Sequence, residues 1–330
     1  MRLEITRIEG LRNDLLLRIE RAELAAVRLS VADPARLMTL AGMPRHRPAS
    51  DEEARGIAGV KRPLEEHLRE LGVVNHEGRA AQRAIAINNR NLGTNHGHIA
   101  WQRDQQPPIV RIGEDPSSFA ARSCLTVRDG GRIAIDDLTF DVEGSRVLAA
   151  ADGTDLSAEI AWATYGQRVL RAGAVSRIED IIADFYDLRH VLAFDPRHEP
   201  GERIRRQIYE GYPQRFPEQA LRAWRDLGVP RARYFHNAIG LSPTEVIVLQ
   251  REGTVEEIGA ALRDAGADDG LILDNGGSVA CWVWWANDYA GGIISPTVDY
   301  RPPGTSVIAF VLKGPPNVNL PGGSVSYSTA

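Results

Sequence analysis

The run Asp274-Asn275-Gly276-Gly277-Ser278 sets a carboxylate at the end of an apolar stretch and follows it with two glycines and a hydroxyl. Successive glycine amides can cradle an anion, and Asp274 can orient a sugar hydroxyl or act as a base. Taken alone, Asn-Gly between two apolar runs is the leading signal for a type I′ hairpin, and that plainer reading is the stronger one. A second group is Asn88-Asn89-Arg90-Asn91. There Arg90 offers a bidentate fork for phosphate and Asn88 a hydroxyl contact, unless the four polar residues are a simple turn. A third is Asn95-His96-Gly97-His98. On a strand, His-x-His aims both rings to one face, which is half of a metal site, with a third ligand to come from afar, for instance His236 or Asp274. A solvated polar loop is the more economical reading. Between these, His96 or His98 can lie over a ligand as a proton donor near neutral pH. His236-Asn237 is a fourth polar pair, just before a strand.

An aromatic group, Trp282, Trp284, Trp285 and Tyr289, lies downstream. Alternation sets Trp282 and Trp284 on one face and Trp285 on the other, so core packing accounts for at least one face. Rings of this kind also stack on sugars, and the group can floor a pocket.

The elements that must position these residues are partly visible. Leu15, Leu17 and Ile19, then Val27, Leu29 and Val31, alternate as strands. Ser50-Asp51-Glu52-Glu53 reads as a capping box ahead of Ile57, Val60, Leu64, Leu68 and Leu71, with Pro63 as a kink and Gly72 as the stop. Ala84–Ile87 is a short apolar strand that ends at the Asn88–Asn91 group, and residues 92–118 are a long loop or several short strands. Strands are expected near 124–127, 132–135 and 145–149. A second capping box at Ser176–Glu179 and a helix from Pro217 to Gly228 follow. In the last third, Ala238-Ile239-Gly240 leads into a strand at 245–249, ahead of a helix capped by Thr254 and Glu257 and ended by Gly266. Strands at 270–274, 279–285 and 305–312 complete it. Because helices and strands mix without strict alternation, the expected class is α+β, a mixed β-sheet core wrapped by helices. One domain is expected over 1–314, with 1–79 as its N-terminal strands and helix, and 315–330 as a loosely held Pro/Gly/Ser-rich tail.

The chain has 330 residues, 43% hydrophobic and 25% charged, which excludes collagen-like, coiled-coil and disordered classes. A formal charge of -5 gives no bulk attraction to nucleic acid or to an anionic membrane, so neither is an expected partner. Two distant cysteines make no disulfide framework and fit a reducing compartment. Charges in Met1–Arg7 interrupt any signal-peptide core, and the apolar run from Val279 to Ala286 is too short to span a bilayer. A soluble cytoplasmic protein is expected. Dinucleotide-binding, Walker A, nucleophile-elbow and HExxH motifs do not occur.

Ala238-Ile239-Gly240, the Val255–Gly266 helix and Asp268-Asp269-Gly270-Leu271-Ile272-Leu273-Asp274-Asn275-Gly276-Gly277-Ser278 together resemble the phosphodiester glycosidase family. That family's signature is an Ala-Ile-Gly strand start, a helix, and Leu-Asp-Gly-Gly-Gly-Ser. Ala86-Ile87-Asn88-Asn89-Arg90 resembles its Ala-Ile-Asn-Gly-Gly-Phe-Phe segment, and Glu210-Gly211-Tyr212-Pro213 its Gly-x-Pro stretch. Ser295-Pro296 through Leu312 resembles its closing Asn-Pro loop and strand, so the likeness runs in order over residues 80–312. The departures are specific. His236 stands in place of an arginine, Ser295 in place of an asparagine, and Asn89-Arg90-Asn91 in place of Gly-Phe-Phe. The glycines of the signature become Asn275-Gly276-Gly277, and Arg301 only approximates the arginine of the closing loop.

The resemblance implies a hydrolase acting on a sugar-1-phosphodiester or related glycosidic bond, on a phosphodiester-glycosidase-like scaffold. No cofactor is expected, and no metal, since no third ligand lies near His96 and His98 in the sequence and His-x-His alone is common in loops. Phosphate is a good leaving group, so charge stabilisation of an oxocarbenium-like state matters more than acid assistance. Asp274 would face the anomeric centre or the attacking water, and His236 or His98 would move the proton. Arg90 and the Gly276 and Gly277 amides would hold phosphate, with Asn88, Asn89, His96, Asn237, Asn275, Ser278 and Arg301 completing a pocket for a small sugar- or phosphate-bearing substrate. Two alternatives stay open: a different cytosolic enzyme of small-molecule or natural-product metabolism on the same scaffold, and a catalytically silent sugar-phosphate-binding protein. Neither the physiological substrate nor the oligomeric state is fixed by the sequence.

Overall fold

The computed structural model describes residues 2–7, 14–31, 63–89, 98–105, 109–112, 122–141, 145–176, 234–275, 279–284, 292–293, 306–315 and 325–329. Its strands begin with β1 (Arg2–Arg7), β2 (Asp14–Glu20), β3 (Leu24–Val31), β4 (Ala84–Asn89), β5 (His98–Gln102) and β6 (Ile109–Ile112). They continue with β7 (Arg122–Arg128), β8 (Ile133–Phe140), β9 (Val147–Ala149), β10 (Ile160–Tyr165), β11 (Gln167–Arg171) and β12 (Ala174–Val175). The remainder are β13 (Tyr234–Leu241), β14 (Glu245–Gly253), β15 (Asp269–Asn275), β16 (Cys281–Val283), β17 (Gly292–Ile293), β18 (Ser306–Leu312) and β19 (Val325–Thr329). Two α-helices lie among the described residues, α1 (Leu64–Glu70) and α2 (Val255–Asp264).

These strands make three sheets. The largest has the order β12-β11-β15-β13-β14-β2-β1-β19, the second β6-β5-β10-β7-β8-β9, and the third β17-β16-β4-β18-β3. Every described pairing is antiparallel except β1 with β19. This overturns the expectation of a mixed sheet wrapped by helices. Here sheets cover sheets: β4 packs against β13 and β15 on one side, and its Asn89 reaches Thr164 of β10 on the other. Every residue of β4 is buried, so it shows none of the alternation that marks a strand with one wet face. The helix read behind Ser176, from 177 on, the helix read at 217–228, and the segment 51–62 lie outside the described residues.

Side chains staple the second sheet onto β3. Trp162 Nε1 donates to the Val27 carbonyl at 3.1 Å, and Gln102 Nε2 donates to the Leu29 carbonyl at 3.1 Å. Pro63 caps α1 rather than kinking a longer described helix, Leu64 and Leu68 are buried, and Gly72 follows with φ +68°. In α2 the capping box forms as read: Thr254 Oγ1 accepts from Glu257 N at 3.2 Å, and Thr254 N donates to Glu257 Oε2 at 3.0 Å.

Two local expectations change. Asn275-Gly276 does not turn a hairpin, because β15 and β16 do not pair and belong to different sheets. Val325–Thr329, read as part of a loose tail, is β19 and closes the large sheet beside β1. Among the described residues no helix is long and apolar enough to cross a membrane.

Candidate functional site

Asp274 is the first residue to account for. On β13, Ile239 and Leu241 face the main core between the sheets, whereas Ala238 faces the cluster under α2. On β15, Leu271 and Leu273 face the main core and Ile272 faces α2. Simple alternation would send Asp274 the way of Ile272. The register instead shifts: Asn237 pairs with Asp274 while Ala238 pairs with Ile272, leaving Leu273 as an extra residue. A bulge of this kind re-aims the next side chain. Asp274 therefore turns towards β4, where it is 3% exposed.

There Asn88 Nδ2 donates to Asp274 Oδ2. The amide of Asn88 cannot be turned round without loss, because its Oδ1 accepts from the Ala280 main-chain N–H at 2.8 Å. Asn237 is oriented in the same manner. Gln250 Nε2 donates to Asn237 Oδ1 at 3.2 Å, so Asn237 Nδ2 points to Asn88 and donates to its main-chain oxygen at 2.6 Å. Gln250, Asn237, Asn88 and Asp274 thus form a directed chain of buried side chains crossing from the large sheet to the third sheet. A buried network held this way fixes geometry, since each reversed amide would strand a donor or acceptor away from water.

The sequence assigned Asn88 and Asn89 to the turn after a strand. Both lie on β4 and are fully buried. Asn89 faces away from Asp274 and donates to Thr164 Oγ1 at 2.6 Å, so the structure does not bring it to the network. His236 is also elsewhere. It neighbours Asn237 on β13 and so takes the opposite face, where Nε2 donates to the Gly253 carbonyl at 3.1 Å. Burial pushes its ring down to about 4, against which the Gly253 bond is a weaker opposing pull. His236 is therefore neutral at pH 7, which a permanent arginine at this position would not be.

His98 opens β5 and Asn275 ends β15; the side chains of both lie outside the described residues. Arg90, His96, Gly276, Gly277, Ser278 and Arg301 lie outside the described residues altogether. Asn88 lies near the C-terminal end of β4, Asp274 near that of β15, and Ala280 just before β16. Trp282 and Trp284 are core residues, at 4% and 1% exposure, while Trp285 and Tyr289 lie outside the described residues. Among the described residues no group of three or more His, Cys, Asp or Glu is placed to hold a metal ion.

Two members of the network escaped the sequence reading. Gln250 carried a usable signal: it follows Val246 and Val248 on the face of β14 that packs into the main core. Ala280 carried none, because it acts through its main chain.

No family model matches this chain, and no curated protein matches it. Among solved structures, it is similar to the catalytic domain of zebrafish N-acetylglucosamine-1-phosphodiester alpha-N-acetylglucosaminidase, auto-inhibited by its pro-peptide. That likeness has 11% identity and a TM-score of 0.48, over 92% of this chain and 78% of that one. A putative exported protein of Burkholderia pseudomallei follows, with 9% identity and a TM-score of 0.44, over 92% and 74%. A hypothetical protein of Synechocystis has 12% identity and a TM-score of 0.37, over 94% of this chain and 61% of that one. At such scores the likeness is a distant one of overall trace, and it says nothing about which residues act.

Proposed function

We propose that this protein is a hydrolase of sugar-1-phosphodiesters or related glycosidic bonds, with Asp274 as its working carboxylate. The observation that carries the reading is the placement of Asp274: a bulge turns it off its expected face, and an amide of fixed orientation holds one of its oxygens. Bulges that re-aim a side chain are over-represented beside active sites. Its sequence setting, between Leu273 and the Asn275-Gly276-Gly277-Ser278 run, supports the same reading through the family resemblance.

In the reaction, the bond between the anomeric carbon and the phosphate oxygen breaks, and water supplies the new oxygen. Asp274 either takes the proton of that water or stabilises positive charge at the anomeric carbon. The phosphate monoester leaves with the bonding electron pair. Arg90 and the Gly276 and Gly277 amides are proposed to hold it, and His98 to carry the proton. His236 is left out, because its ring is neutral and turned to the far face of β13. Cys124 and Cys281 are both buried and neither is in a disulfide, which fits the reducing, cytoplasmic setting we propose.

A second reading is a binding protein for the same ligands. The depth of Asp274 favours it, since a carboxylate at 3% exposure can serve the fold alone. Incubation of the purified chain with a panel of α-linked sugar-1-phosphodiesters separates the two. Release of free reducing sugar is the expected result, and saturable binding of the panel without turnover would favour the binding protein.

A further inference from the structure

At the other end of β4 lies a cation that the network above does not involve. Arg83 directly precedes β4 and is 7% exposed. Its guanidinium lies over the indole of Trp284, 5.0 Å from the ring centroid. Nη1 donates to the Lys313 carbonyl at 3.3 Å. Nε and Nη2 are both buried, and among the described residues neither has a hydrogen-bond partner and no carboxylate pairs with Arg83. The contrast with Arg168 is direct. At 6% exposure Arg168 is equally buried, but it sits against Asp269 and lies 3.8 Å from Asp137.

An unpaired buried guanidinium is costly, and stacking on an indole offsets only part of that cost. The two nitrogens left over are also a particular pair. Nε and Nη2 form the side edge of the guanidinium, whose two parallel N–H vectors match the two oxygens of a carboxylate or phosphate. Trp284 holds the plane of the fork, and its main-chain N–H donates to the Ala84 carbonyl at 3.1 Å, tying the backbone of Trp284 to the residue after Arg83. Beside Nη1, Gly314 adds no side chain; a Cβ there would sit 4.0 Å away, at a φ of +94°.

We infer that the Nε/Nη2 edge of Arg83 is a binding site for an oxyanion, a carboxylate or phosphate held in bidentate fashion over Trp284. Arg83 precedes Asn88 by five positions, roughly 16 Å along an extended strand, so this site is separate from Asp274 and stands or falls independently of the hydrolase reading.

The test is calorimetric titration of the full chain with inorganic phosphate and, separately, with acetate, at ionic strength held constant with chloride. Saturable binding of at least one anion is expected, in a component separate from any phosphate held at the Arg90, Gly276 and Gly277 site proposed above, and the tighter of the two anions names the chemistry. Arg83→Lys keeps the charge and loses the fork, and should weaken that binding by about tenfold or more. Arg90→Ala should leave this Arg83-dependent component unchanged, which separates it from the phosphate site proposed beside Asp274. Absence of saturable binding to the wild type overturns the inference, as does an Arg83→Lys protein that binds as well as the wild type. Should Arg83→Lys fail to fold, crystals of the wild type soaked in selenate decide the matter. An anomalous peak within hydrogen-bond distance of both Nε and Nη2 supports the site, and a lone water or nothing there overturns it.

Discussion

Asn88 and Asp274, 186 positions apart in the chain, meet as amide donor and carboxylate acceptor between two sheets that share no strand. Because Ala280 N–H occupies Asn88 Oδ1, the group facing Asp274 can only be a donor. The contact thus favours a carboxylate oxygen that accepts, and it ties the catalytic proposal to the packing of the two sheets.

The polarity of the chain behind Asn88 can be tested at Gln250. Gln250→Glu replaces the donor to Asn237 Oδ1 by a carboxylate, and puts a charge where a fully buried neutral amide stood. A loss of about 2 kcal/mol or more is expected at pH 8. Burial should raise the carboxyl of the new side chain, and once protonated it can donate again. The deficit relative to wild type should therefore shrink at pH 5. Denaturant titrations at both pH values check this, and an equal deficit at the two would contradict the assigned direction of the network.

Helix α2 offers a test of close packing. Gly259 lies inside the helix, where alanine would ordinarily be favoured. Yet a Cβ at Gly259 would come within 2.4 Å of the Val169 carbonyl oxygen on β11, a backbone atom that cannot rotate away. Gly259→Ala should destabilise by about 2 kcal/mol or more, although it improves helix propensity. Thermal unfolding measures it, and a stabilised variant would show that α2 does not seat as closely as described.

His236 gives the fold a defined acid sensitivity. Its folded-state value of about 4 lies below the ordinary 6.5 because burial disfavours the imidazolium. Between these values the unfolded chain binds more protons than the folded one, so stability falls as pH falls. The contribution is complete above pH 6.5 and is lost towards pH 4, on the order of 3 kcal/mol. Asp137 acts in a lower window. Burial raises its carboxyl, but bonds from Arg171 and Ser123 outweigh that and hold it below the usual 3.8. His236→Gln cannot titrate and can still donate to the Gly253 carbonyl. Its stability should stay flatter than wild type between pH 7 and 4.5, and parallel curves would contradict this assignment.

How far the sequence revealed these features depended on whether their signals were local. The Thr254–Glu257 capping box was readable because two residues three positions apart define it, and it forms as read. Leu15, Leu17 and Ile19 were readable because their strand alternates, and they are buried in alternation. β10 and β11 were missed because most of their positions are buried on both faces, which erases the period of two. The overall class was misjudged for a related reason: capping boxes suggest helices, but nothing local says that sheets rather than helices cover β4. Asp274 was singled out by its motif, while its orientation depended on a one-residue register shift against β13 that no local pattern encodes. Asn88 was chosen for its residue type and placed in a turn, although it lies inside a buried strand. Arg83 drew no notice, since a lone arginine before a strand looks solvated until its burial is known.

The most direct test of the central proposal is the turnover of Asp274→Asn on whichever sugar-1-phosphodiester the wild type cleaves. Asparagine keeps the volume and an acceptor oxygen for Asn88, so the fold should persist, checked by an unchanged circular dichroism spectrum and a thermal midpoint shifted by only a few degrees. Removing the carboxylate should lower kcat by about a hundredfold to ten-thousandfold, the range expected for a general base, with KM little changed. A folded Asp274→Asn protein that turns over at the wild-type rate would contradict the proposal and leave Asp274 as a residue of the sheet packing alone.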